Sequence, residues 1–119
     1  MRLEALGVGI KKGALVEGLS NEIWVAIGVI WAIFKDFQYP FVITSGKEGK
    51  HGTNSLHYSN NAFDIRTRDI LDRDRLEDVY YSIKRDLDEF GFDVILEKDH
   101  IHVEWDPKEN DAKLLRGVE

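Results

Sequence analysis

Between Ile23 and Phe34 apolar residues crowd a segment about twelve residues long. Ser20, just before it, has the short side-chain oxygen that accepts hydrogen bonds from first-turn N–H groups. The pattern predicts a helix that opens at Asn21 and Glu22, runs to about Phe37 and ends before Pro40. About 20 apolar residues are needed to cross a bilayer, so this is a buried amphipathic helix and no membrane span. Phe41 to Thr44 reads as a strand, and Ala62 to Arg66 as a short strand after a turn at Ser59 to Asn61. From Asp72 to Phe90 the residues Leu76, Val79, Tyr80, Ile83, Leu87 and Phe90 recur at helical spacing, a stripe expected in the core, with Gly91 as the C′ residue. Phe92 to Leu96 and Ile101 to Trp105 then form a hairpin across the polar turn Glu97 to Asp99. The expected fold class is α+β, a small antiparallel sheet with helices packed on one face.

What separates these elements narrows the picture. Ser45 to Asn54, SGKEGKHGTN, holds three glycines and no apolar residue, so it is a loop, a natural wall for a groove beside a strand. The chain of 119 residues is expected to be one domain with its core over 20–105 and a charged tail over 107–119. The start, MRLEALGVGIKKG, lacks the charge and hydropathy pattern of a signal peptide, which implies a cytoplasmic location at synthesis. Sixteen basic against 22 acidic residues give a net charge of −6 with no long basic run, which removes the electrostatic source of phosphate-backbone binding and argues against a nucleic-acid partner. There is no cysteine, so neither disulfides nor thiol chemistry is available. Oligomeric state is not legible.

Two strings carry chemistry. SLHYSNNAFDIR, at Ser55 to Arg66, and DHIHVEW, at Asp99 to Trp105, supply His57, Asp64 and His102. Two imidazoles and one carboxylate can hold a catalytic Zn²⁺ while leaving a fourth position open, whereas closed structural zinc sites are usually rich in cysteine. Each string alone is weak, since H-x-H arises on many exposed strands; the conjunction is what matters. Strand alternation places His100, His102 and Glu104 on one face and Ile101, Val103 and Trp105 on the other, so the polar trio faces a site while the apolar trio packs on the helices.

The order S-x-H-x-x-x-x-A-x-D followed by D-x-x-H-x-E resembles the M15-type zinc peptidases, a group of D-alanyl-D-alanine carboxypeptidases, dipeptidases and phage endolysins that cut L-alanyl-D-glutamate bonds. It also resembles the hedgehog signalling domain, which shares their fold and metal site. The likeness covers roughly Phe41 to Trp105. It implies His57, Asp64 and His102 as zinc ligands, and Asp99, three residues before the second ligand histidine, as the catalytic carboxylate. It further implies a peptidoglycan stem peptide as substrate, phage or prophage origin, and action at the cell wall after release through a separate pore.

Zinc in such a site lowers the pKa of bound water to about 7, and a carboxylate must take the proton. Asp99 is the expected base, with Glu97 in the same turn as runner-up. His100 is expected to hydrogen-bond the developing oxyanion. Glu104 is positioned to orient a ligand imidazole. Ser55 can tie down the loop presenting His57, and Arg66 can meet a substrate carboxylate. Asn60 stands where the peptidases usually have glycine. Many relatives also carry an Arg shortly after a strand-ending Ser-Gly; here Ser45-Gly46 leads to Lys47 and Glu48, so its contacts must come from Lys47, Arg66 or His51, or be absent. An acid six residues before the second histidine of H-x-H marks hedgehog domains, and Leu96 occupies that place. The competing expectations are a hedgehog-like zinc-binding module without turnover and a metal-free interaction domain.

Overall fold

The computed structural model describes residues 6–46 and 61–106. In chain order the elements are β1 (Val8–Ile10), α1 (Asn21–Phe37), β2 (Phe41–Ser45), β3 (Ala62–Arg66), α2 (Arg73–Leu87), β4 (Phe92–Leu96) and β5 (His100–Trp105). One five-stranded sheet has the spatial order β1-β2-β3-β5-β4. β1 runs parallel to β2 and every other neighbouring pair is antiparallel. The sheet is therefore mixed, where an antiparallel one was expected. The difference is β1, a three-residue strand bracketed by glycine and lysine that is too short to show periodicity.

Both helices begin and end as their chemistry dictates. Ser20 is extended and its Oγ accepts from Ile23 N–H at 3.3 Å. Asp72 caps α2, accepting from the N–H groups of Asp74 and Arg75 at 2.9 and 3.4 Å. α1 stops in a Schellman arrangement: Tyr39 N–H donates to Phe34 C=O and Gln38 N–H to Lys35 C=O, with Gln38 left-handed at φ 64°. α2 gives way to a 3₁₀ turn at Asp88–Phe90, closed by Gly91 at φ 85°. That change of period rotates Phe90 off the apolar stripe; it is 58% exposed, where the helical spacing predicted core.

Alternation divides the sheet. Phe41 and Ile43 on β2, Phe63 and Ile65 on β3, Phe92 and Val94 on β4, and Ile101 and Val103 on β5 are buried, and they form one core with Ile23, Ile27, Ile30 and Phe34 of α1 and Val79, Ile83 and Leu87 of α2. Phe34 stacks on Phe41 with centroids 5.2 Å apart, and Tyr80 Oη donates to Val94 C=O at 3.2 Å, fixing each helix to a strand. Trp105 packs at the margin of this core and is partly buried. Val8 and Leu19 are also buried in it, so the core reaches N-terminal of the 20–105 limit expected from periodicity. The opposite face of the sheet carries Thr44, Asp64, Arg66, His100, His102 and Glu104.

Candidate functional site

Register brings the polar residues together. β3 and β5 pair so that Asp64 lies opposite His102, Arg66 opposite His100, and Ala62 opposite Glu104. Directly opposed residues of an antiparallel pair have Cβ atoms about 5 Å apart, close enough for a short carboxylate and an imidazole to meet. They do meet. Asp64 Oδ1 lies 2.7 Å from His102 Nδ1, with the two side chains only 16% and 18% exposed. A protonated Nδ1 donates to the carboxylate; an unprotonated one would set two lone-pair donors against each other, an arrangement that a shared cation resolves. The donor chemistry of the pair therefore fits a divalent metal. Among the described residues no third His or acid completes a three-ligand cluster. His57, the expected third ligand, lies outside the described residues, as do Lys47, His51 and Ser55.

Around this pair the other imidazole atoms have partners. Glu104 Oε2 is 3.7 Å from His102 Nε2, on the side of the ring away from Asp64, which is where an orienting acceptor would stand. His100 Nδ1–H donates to Asp99 Oδ1 at 2.7 Å, and His100 Nε2 approaches Asp64 Oδ1 to 3.9 Å. Asp99 is 87% exposed at the end of the turn, which Glu97 N–H closes by donating to His100 C=O at 2.8 Å. The hydrogen bond from His100 holds the Asp99 carboxyl below the usual carboxylate value, because it favours the charged form. Thr44 Oγ1 reaches the Asp64 carbonyl at 3.5 Å, beside the point where the β2–β3 register shifts between Ile43 and Ser45. Such an irregularity re-aims the side chains next to it.

Of these groups, Thr44, Asp64, Asp99 and His100 open onto a cleft of about 420 Å³ that Lys11, Ser45, Arg66 and Arg68 also line. A larger hollow of about 890 Å³ along α2, bordered by Phe37, Asp78, Tyr81 and Arg85, contains no imidazole. Arg66, read as a candidate for a substrate carboxylate, is engaged: its Nε donates to Asp69 Oδ2 at 2.8 Å. Two charged cleft residues are not legible in the sequence. Lys11 follows the missed strand β1. Arg68 follows β3 in a run of mixed charge, RTRDILDRD, that shows neither strand nor helix period. No protein-family model, curated protein or solved structure matches the chain significantly.

Proposed function

We propose that the protein is a zinc-dependent metallopeptidase that hydrolyses an amide beside a D-amino acid in peptidoglycan stem peptides, as a D,D-carboxypeptidase or an L-alanyl-D-glutamate endopeptidase. The observation that carries this reading is the 2.7 Å contact between Asp64 and His102 on adjacent strands, with Asp99 and His100 on the same cleft. His57, Asp64 and His102 would hold the ion, which supplies Lewis acidity toward the scissile carbonyl and toward water. The chain's own residues do the rest. Asp99 takes the proton of the attacking water on its carboxylate and passes it to the leaving amine. His100, with Nδ1–H held by Asp99, presents Nε2 to the substrate and, when protonated there, donates to the oxyanion. Glu104 steadies the His102 ring.

Asp99→Asn tests this assignment, because the amide keeps the shape of the carboxylate but cannot accept the proton. The expected outcome is retained zinc and fold, with muropeptide hydrolysis falling by more than roughly 10²-fold. Glu97→Gln is expected to stay active; a dead Glu97→Gln beside an active Asp99→Asn would move the base by two residues. Zinc held by the wild-type chain without any turnover would replace the peptidase with a hedgehog-like binding module.

A further inference from the structure

Basic residues gather on one cleft of an acidic protein. Against a net charge of −6, three of its lining residues are Lys11, Arg66 and Arg68. They come from separate elements. Lys11 carries the alternation of β1 one step on, its N–H donating to Ile43 C=O at 2.9 Å, and Arg66 and Arg68 stand at and beyond the end of β3. Arg66 is neutralised locally by Asp69. Among the described residues, Lys11 and Arg68 make no ion pair. The acids of the cleft, Asp64 and Asp99, are already bonded to His102 and His100. Two cations without an ion pair on one cleft attract anions, and a guanidinium and an ammonium each suit a carboxylate.

We infer that Lys11 and Arg68 are specificity-determining residues that bind a substrate carboxylate in the cleft. The inference rests on the peptidase reading for its substrate class. A stem peptide offers that group in two places, the C-terminal D-alanine and the D-glutamate. Asp64, His100 and Asp99 line the same cleft, so a carboxylate held at Lys11 and Arg68 keeps the peptide next to them. The cleft volume suits a short peptide segment.

Calorimetric titration of the zinc-loaded Asp99→Asn protein, which keeps its peptide uncut, tests binding apart from turnover. The probes are a stem pentapeptide with both carboxylates free, the same peptide amidated only at its C-terminus, and the same peptide amidated only at D-glutamate. One amidated form is expected to bind roughly tenfold more weakly, and which one identifies the carboxylate. Adding Lys11→Gln and Arg68→Gln, both exposed and outside the core, is expected to weaken the free acid by that same factor and to leave the sensitive amide unchanged. Equal affinities for all three peptides, a preference that survives the double substitution, or no binding of any peptide would overturn the inference. Turnover by the wild-type enzyme is read separately, so loss of the peptidase reading and loss of the carboxylate site give different results.

Discussion

Asp64 and His102 meet because of register, and a slip of one residue between β3 and β5 would turn one of them toward the helices. Their side-chain faces were legible: alternation over His100 to Glu104 gives the correct face for all three polar residues. Their pairing was not, since nothing in two short strands separated by a helix states which residue opposes which. For zinc, His57→Ala, Asp64→Ala and His102→Ala are each expected to remove most of the metal from purified protein, against one ion per chain in the wild type. Full occupancy in His102→Ala would refute the ligand assignment. Asp99 and His100 are bonded to each other at 2.7 Å and so act as a unit. The double change Asp99→Asn with His100→Ala is accordingly expected to cost no more than the worse single change, by kcat/KM on one peptide. His100→Ala is also expected to raise the Asp99 carboxyl toward its ordinary value, read by NMR titration. The sign follows from linkage: a lowered carboxyl pKa adds stability above the unfolded value and loses it as pH falls through the folded one. Because Asp99 is exposed, this contribution is small.

At the level of elements, α1, β3 and the β4–β5 hairpin were legible because each joins a clear period to chemical punctuation. Ser20 starts α1, Gly91 ends the turn after α2, and polar residues close the hairpin. β1 was not legible. Gly9 carries no side chain to report, and an added Cβ there would press on Val42 Cγ2 at 3.0 Å. Lys11 follows that strand, so its place on the cleft is not legible either. Two substitutions test these elements. Val8 is 1% exposed, so Val8→Ala is expected to cost about 2 kcal/mol by urea denaturation. Gln38→Gly relieves a left-handed non-glycine residue and is expected to add about 0.5–1 kcal/mol. A neutral Val8→Ala would mean that β1 is not an integral strand.

The whole molecule separates its tasks by the two faces of one sheet. Helices and apolar side chains supply stability on one face, leaving the other to hold an acid–imidazole pair at low exposure without interrupting the core. Among the described residues no helix is long and apolar enough to cross a membrane. The carboxypeptidase and endopeptidase readings share this frame and differ only in which bond lies across Asp64, His102 and the Asp99–His100 pair. Mass spectrometry of purified muropeptides, incubated with the zinc-loaded protein and with the same protein plus chelator, asks the question most directly. Loss of one terminal D-alanine, or two fragments divided at the L-alanyl-D-glutamate bond, is expected in the zinc-loaded sample alone. Muropeptides of unchanged mass after incubation with fully zinc-loaded protein would contradict it.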